Sequence, residues 1–201
     1  AIADWNAVLE HHGDQDVALN ALGRLYERES RWAELAEVLH RQLAIGDDPQ
    51  RAMRILSSLA SVYTERLRLS GPAIAVLREH LRLAPGHDKS TRTLRDLYIG
   101  EAKWDELTEL FREQDKLSSL VETLQGAADR VTDIEQRVEL YQRVARLCRE
   151  ELGQPERAVK ALERTLAIQP DNFAVALELL PIYREQGNWG RLMGTLEALY
   201  T

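Results

Sequence analysis

The sequence predicts an all-α fold, a right-handed α-solenoid of about twelve helices arranged as antiparallel hairpins. The first observation is a repeat after 85 residues without a gap, which pairs Ala60, Glu65, Leu67, Ala73, Leu77, Leu81, Pro85, Leu94, Tyr98, Trp104 and Leu107 with Ala145, Glu150, Leu152, Ala158, Leu162, Leu166, Pro170, Leu179, Tyr183, Trp189 and Leu192. The second is a shorter signature that occurs three times, as Leu25-Tyr26-x5-Trp32-x2-Leu35, Leu97-Tyr98-x5-Trp104-x2-Leu107 and Ile182-Tyr183-x5-Trp189-x2-Leu192. Apolar marks that recur between varying surface residues are typical of stacked supersecondary units.

Apolar residues follow helical spacing along nearly the whole chain, and no segment alternates with the period of a strand. Short linkers between the apolar faces predict that successive helices run antiparallel. We expect helices at 3–12, 15–29, 31–45, 49–68, 72–83, 87–101, 103–113, 116–130, 133–152, 155–168, 171–187 and 189–200. Pro49, Pro72 and Pro155 fall where we expect helices to begin, a position whose amide needs no partner. Thr132-x-x-Glu135 is expected to be a capping box for the helix that follows it.

The pattern of one hairpin resembles the tetratricopeptide repeat. In its first helix, Leu19-x2-Leu22-Gly23-x2-Tyr26 matches the pattern of that repeat, with Leu in place of Trp. The second-helix pattern occurs as Ala73-x3-Leu77 before Pro85 and as Ala158-x3-Leu162 before Pro170. The resemblance covers nearly the whole chain in divergent form. It implies that the first helices of the hairpins line a concave groove.

The repeats are interrupted after Trp104, because the interval from Trp104 to Trp189 is longer than the interval from Trp32 to Trp104. We therefore expect a merged or missing first helix there, and a change of stacking angle near 112–118. This divides a continuous solenoid into an N-terminal part, 1–113, and a C-terminal part, 114–201. The mark Trp5-x2-Val8 belongs to a second helix without a preceding first helix, so we expect the chain to be part of a longer array.

Composition limits the classes of partner. The net charge of −7 disfavours binding to a nucleic-acid backbone, which requires a basic stripe. No apolar run reaches the length of a transmembrane helix, so we expect no insertion into a membrane. Because Cys148 is the only cysteine, no disulfide can form within the chain, and we expect a reducing, cytoplasmic compartment.

Candidate chemical groups point to packing and not to catalysis. His11 and His12 lack the further ligands of a metal site, and the other histidines stand alone on polar faces or in a loop. Cys148 lies late in its helix at a packing position, where a reactive thiolate is not favoured. Trp32, Trp104 and Trp189 share one station of the repeat and are expected to be packing residues. We expect no catalytic residue, cofactor or metal, and hence no enzyme.

The resemblance implies a binding surface on the inner positions of the first helices. Carried onto this sequence, those positions are Asn20, Arg24, Arg28, Arg54, Ser57, Ser61, Lys89, Arg92, Gln142, Arg146, Arg149 and Arg184. Acidic residues are interleaved with them, yet basic groups predominate, which reverses the sign of the whole chain. We expect a non-catalytic scaffold that binds another protein through an extended acidic or mixed-charge segment, since arginine holds a carboxylate with two hydrogen bonds.

Three alternatives to this function remain open. The inner surface could be a solvated face whose charges form salt bridges at helical spacing. The array could associate with itself or act as a structural spacer, in which case its end helices should expose apolar residues. It could also be the regulatory or recruiting arm of an enzyme whose catalytic domain lies elsewhere in the polypeptide.

Overall fold

The structure is a computed structural model that describes residues 1–200, with side chains described through Glu197. Residues 1–200 form twelve helices and no strand, as an all-α helical repeat requires. The chain divides into two compact units, 1–103 and 104–201. Unit 1 contains α1 (Ile2–His12), α2 (Asp16–Arg28), α3 (Trp32–Ala44), α4 (Pro49–Ser61), a π-helical segment (Val62–Leu67), α5 (Ser70–Leu83) and α6 (Asp88–Gly100). Unit 2 contains α7 (Trp104–Glu113), α8 (Leu117–Ala128), α9 (Ile134–Glu150), α10 (Pro155–Ile168), α11 (Phe173–Glu185) and α12 (Trp189–Tyr200).

Within each unit, every helix packs against the next one in the chain. The short linkers make these neighbours antiparallel, and one apolar stripe of each helix faces the layer between them. In unit 1 the completely buried leucines include Leu19, Leu22, Leu56 and Leu59. In unit 2 they include Leu107, Leu120, Leu124, Leu140 and Leu179. The core of each unit is therefore a continuous layer between consecutive helices and not a central sphere.

The Leu-Tyr signature marks a helix end of one geometry. After Tyr26, Ser30 adopts a left-handed conformation with φ of 57°, and the Arg31 amide donates to the Tyr26 carbonyl oxygen at 2.9 Å. This closure is a Schellman motif, in which the amide beyond the left-handed residue satisfies a carbonyl of the last turn. The same closing bond joins Lys103 to Tyr98, Lys116 to Phe111 and Asn188 to Tyr183.

The turn after Phe111 shows how the repeat is interrupted. α7 begins at Trp104, a second-helix mark, and ends at Glu113. It is closed as a first helix is, by the left-handed Asp115 and the bond from the Lys116 amide to the Phe111 carbonyl oxygen. One helix thus carries the start of one helix type and the end of the other, which accounts for the altered spacing after Trp104. The division of the solenoid at 113 and the change of stacking angle near 112–118 stay predictions.

The helix expected at 49–68 is an α-helix only as far as Ser61. The following six residues form the π-helical segment, which ends at Arg68 with φ of 54°. The Leu69 amide donates to the Tyr63 carbonyl oxygen at 2.9 Å, one residue farther along than in the Schellman turns. The Gln154 amide and the Cys148 carbonyl, at the same stations of the next repeat, form the matching bond at 2.7 Å.

The tryptophan marks differ in burial. Trp104 is 7% exposed and belongs to the core, as predicted. Trp32 is half-buried, and Trp189 is 62% exposed. The packing assignment is therefore wrong for Trp189, because α12 is the last helix of the described residues and no later helix covers it there.

The expected capping box at Thr132 is also wrong. Asp133 is the residue before the first turn of α9, and its Oδ1 accepts a hydrogen bond from the Gln136 amide at 2.9 Å. Asp133→Ala should therefore lower the free energy of unfolding by about 1 kcal/mol, the usual effect of removing such a cap. Thr132→Ala should change it by less than about 0.5 kcal/mol, since Thr132 is exposed and caps nothing. Urea titration of both variants checks the assignment, and a larger effect at Thr132 would restore the capping box.

Candidate functional site

The twelve positions predicted to line a binding surface all lie outside the core. Ser61 and Gln142 are half-buried, and the other ten are exposed. In unit 1 they lie on α2, α4 with its last residue Ser61, and α6, and in unit 2 they lie on α9 and α11. Four of them converge on one cleft in unit 1. These four are Asn20, Arg24, Ser57 and Ser61.

The cleft lies between α2 and α4 and has a volume of about 460 Å³. Its apolar floor is formed by Trp32, Leu35 and Leu39 from α3 together with Val62. Its remaining lining groups are Asn20, Gly23, Arg24 and Glu27 from α2, Gln42 from α3, Ser57, Ser58 and Ser61 from α4, and Arg66 from the π-helical segment. We call this cleft the α2–α4 groove.

Two guanidinium groups face the α2–α4 groove. The Arg66 guanidinium carbon lies 4.7 Å from the centre of the Trp32 ring, a cation–π contact that orients it. Among the described residues, neither Arg24 nor Arg66 forms an ion pair, and Glu27 is the one carboxylate in the lining. Two cations without carboxylate partners above an apolar floor can hold an anionic group whose neighbour is apolar.

Hydrogen bonds hold several polar side chains of the groove in place. The Gln42 side-chain amide, which is 6% exposed, donates to Asn20 Oδ1 at 3.0 Å. Ser57 Oγ lies 3.1 Å from His80 Nε2, and Ser58 Oγ donates to the Arg54 carbonyl oxygen at 3.1 Å. The groove wall is therefore ordered by contacts to α3 and α5 before any partner arrives.

Most arginines at the predicted positions lack the ion pairs that most other arginines of the chain form. Arg149 donates to Glu178 at 2.9 Å and to Glu150 at 3.3 Å. The remaining six, which are Arg24, Arg28, Arg54, Arg92, Arg146 and Arg184, have no carboxylate partner among the described residues. Arginines on other faces commonly do, as in the pairs Arg31–Glu34 and Arg82–Glu79, both at 2.6 Å. The predicted surface is thus not a lattice of internal salt bridges.

Sequence reasoning missed four groups of the groove, namely Arg66, Trp32, Gln42 and Ser58. Arg66 carried a signal, since it follows Ser58 and Val62 at a spacing of four residues and so shares their helix face, but it was not among the chosen positions. Trp32 carried a signal, its place in the repeat, but that signal was read as packing alone. Gln42 had no signal, since its burial depends on Asn20 across the hairpin.

The remaining candidate groups are placed as follows. Cys148 is fully buried, and burial raises the pKa of its thiol, so it is unsuited to nucleophilic chemistry. His11 and His12 are exposed. His80 was expected on a polar face but is 3% exposed, because α4 and α6 cover it. In the part of the chain that the structure describes, no cluster of three metal-ligating side chains forms, and none of the helices could cross a membrane.

These hairpins and the groove between their first helices define an all-α helical-repeat protein. Residues 18–53, which span α2, α3 and the start of α4, match the tetratricopeptide repeat family. The matched segment contributes most of the α2–α4 groove. No curated protein matches the sequence.

Two solved structures with a similar arrangement are a crystal structure of MamA and a putative kinesin light chain of Podosopora anserina with nearly identical TPR-like repeats. MamA is 16% identical over 89% of this chain and 91% of that chain, with a TM-score of 0.34. The kinesin light chain is 19% identical over 91% of this chain and 92% of that chain, with a TM-score of 0.35.

Proposed function

We propose that this protein is a non-catalytic interaction scaffold that binds an extended acidic or mixed-charge segment of another protein in the α2–α4 groove. The observation that carries the proposal is the pair Arg24 and Arg66, which lack carboxylate partners among the described residues and lie beside an apolar floor. Helical-repeat proteins of this type generally act by binding other proteins. We further propose a cytoplasmic location, because the chain uses one buried cysteine, Cys148, and no intrachain disulfide.

The groove offers three kinds of contact to an extended segment. A carboxylate of the partner accepts hydrogen bonds from Arg24 or Arg66, and a guanidinium can provide two of them at once. An apolar side chain next to that carboxylate packs on Trp32 and Leu35. The backbone of the segment meets the hydroxyls of Ser58 and Ser61 along α4. This combination favours a segment in which acidic and apolar residues alternate.

The other predicted positions would extend the same chemistry within each unit. In unit 1 they are Arg28, Arg54, Lys89 and Arg92, and in unit 2 they are Gln142, Arg146, Arg149 and Arg184. Their cations are exposed, so each adds a screened attraction and not a deep pocket. Binding should therefore weaken as salt concentration rises.

The test uses fluorescein-labelled peptides of about twelve residues in which Glu alternates with Leu, and matched peptides with Gln in place of Glu. Fluorescence anisotropy should show binding of the acidic peptides only, with a Kd that rises with salt. Arg24→Glu should weaken that binding at least tenfold, or by about 1.4 kcal/mol. The control is Arg78→Glu, an equal charge change on the exposed face of α5, outside the groove lining. Equal effects of the two variants would show that only net charge matters and would refute the groove.

A second candidate function is self-association through the last hairpin. Phe173 and Leu177 on α11, and Trp189 and Met193 on α12, are each more than half exposed, as a spacer that assembles through its end helices would require. Light scattering should then show a mass that rises with concentration, and Trp189→Ser with Met193→Ser should abolish the rise. A constant monomer mass would exclude this candidate. A role as the arm of an enzyme is decided by the full reading frame of the gene.

A further inference from the structure

A chain of hydrogen bonds connects α4, α5 and α6 through two histidines. Ser57 Oγ lies 3.1 Å from His80 Nε2, and Ser90 Oγ lies 3.2 Å from His80 Nδ1. Ser90 Oγ also lies 2.9 Å from His87 Nδ1, and the His80 and His87 rings are 4.7 Å apart, edge to face. His80 and Ser90 are 3% and 5% exposed, so the middle of this chain is shielded from water.

The contact between the Ser90 backbone amide and His87 fixes the direction of the two hydrogen bonds that Ser90 Oγ makes. His87 precedes the first turn of α6 and caps it, because its Nδ1 accepts the Ser90 backbone amide at 3.2 Å. An accepting Nδ1 carries no proton, so the Ser90 hydroxyl must donate to it as well. Ser90 Oγ then accepts from a proton on His80 Nδ1, and the unprotonated His80 Nε2 accepts from the Ser57 hydroxyl. With both imidazoles neutral, all four side chains have a partner. A second proton on His80 would be donated to Ser57 Oγ, which keeps that hydrogen bond but places a charge in a buried site.

Protonation disturbs this arrangement at either histidine. A proton on His87 Nδ1 faces the Ser90 amide, removes the cap, and places a positive charge at the positive end of the α6 dipole. A proton on His80 Nε2 places a cation in a buried site beside a second imidazole. Burial lowers the pKa of His80, and the positive charge of a protonated His87 lowers it further.

No carboxylate compensates a charge on His80. Among the described residues, His87 is the only group whose charge shifts the pKa of His80. The charged side chains nearest in sequence on the three helices are Arg54 on α4, Arg78, Glu79 and Arg82 on α5, and Asp88 and Lys89 on α6. Glu79 is engaged by Arg82 at 2.6 Å.

We propose that His80 and His87 form a pH-sensitive latch, which ties α4 and α5 to the first turn of α6 while both rings are neutral and opens on acidification. The folded state disfavours the proton on His80, whereas the unfolded chain accepts it with an ordinary pKa near 6.5. The latch therefore contributes its full stabilisation above about pH 6.5 and loses it as the pH falls below that value. Because Ser57 also lines the α2–α4 groove, opening would loosen the groove wall, a consequence that rests on the function proposed above.

The latch is tested without any partner, so its failure is separate from failure of the groove. In ¹⁵N-labelled protein at pH 7.5, long-range ¹H–¹⁵N spectra should show His80 protonated on Nδ1 and His87 protonated on Nε2. Ser90→Ala removes the bridging hydroxyl but leaves the backbone cap, and it should release His80 from this single tautomer. If His80 carries its proton on Nε2 in the parent protein, or keeps Nδ1–H in Ser90→Ala, the directed chain is wrong.

Amide protection factors, which correct for the intrinsic pH dependence of exchange, test the opening. Between pH 7.5 and 5.5, protection of residues 90–92 should fall at least tenfold in the parent protein. His87→Asn keeps a side-chain cap for the Ser90 amide but removes the imidazole beside His80, and it should retain most of the protection at pH 5.5. His12→Asn, on exposed α1, should behave as the parent protein does. Equal losses in the parent and in His87→Asn would overturn the latch.

Discussion

Trp104→Ala should lower the free energy of unfolding of unit 2 by about 3–5 kcal/mol, the usual cost of replacing a buried tryptophan with alanine. Trp104 is 7% exposed, and Leu107, one turn later on α7, is completely buried. Removing the indole leaves a cavity in a layer that neighbouring helices share, so the loss should reach beyond α7. Urea titration followed by far-ultraviolet circular dichroism measures this loss of stability. Tryptophan fluorescence is unsuitable, because the substitution removes one of the fluorescent residues.

Trp189→Ala is the matched control for this prediction, since Trp189 occupies the same station of the repeat. Its side chain is 62% exposed, so the substitution should cost less than about 1 kcal/mol. If both variants lose the same stability, burial in this structure does not explain the role of the signature. A change of only a few tenths of a kcal/mol in Trp104→Ala would likewise contradict its place in the core.

The two tryptophans show what a repeat signature can predict and where it stops. The signature predicts the helix end and the turn correctly at Tyr98 and at Tyr183, because these depend on local backbone bonds. It does not predict burial, because burial depends on which helix packs next. Trp104 and Trp189 occupy the same position of the repeat but have different neighbouring helices.

Helix positions were predictable because their signals are local. Pro49 and Pro155 begin α4 and α10, as the missing proline amide suggested. The start expected at Pro72 is wrong, because α5 begins at Ser70 and Pro72 lies within its first turn, where an amide still needs no helical partner. The cap of α9 was misplaced by one residue, since Thr132 and Asp133 are both good caps and the backbone chooses between them. Such a choice depends on the exact path of the linker, which no spacing pattern records.

The candidate site was predictable only in part. Asn20, Arg24, Ser57 and Ser61 were assigned to one surface from their stations in the repeat, and the structure brings these four to one cleft. Arg66 joins them on the helix face of Ser58 and Val62, whereas the π-helical segment ends at the left-handed Arg68, which gives no signal of its own. A signal does exist one repeat later, where Gly153 occupies the station of Arg68 with φ of 61°.

The second large effect concerns Pro181, which lies inside α11 and is exposed. Proline has no amide hydrogen, so the Leu177 carbonyl receives no helical bond, and such an interior proline costs about 3 kcal/mol. Pro181→Ala restores the donor, while the freer unfolded chain offsets roughly 0.4–1 kcal/mol of the gain. We therefore expect unit 2 to become more stable by about 2 kcal/mol in urea titration.

Pro155→Ala is the control for Pro181→Ala, because Pro155 is the first residue of α10 and its missing amide would have no helical partner. That substitution should leave the stability unchanged or lower it by up to about 1 kcal/mol, through the unfolded chain alone. A gain of stability in Pro181→Ala with none in Pro155→Ala would show that the backbone of α11 is helical enough for an amide at 181 to bond to the Leu177 carbonyl oxygen. A loss at 181 would mean that packing holds α11 in a kink, and that Leu177 and its exposed neighbours are presented by a bend and not by a straight helix.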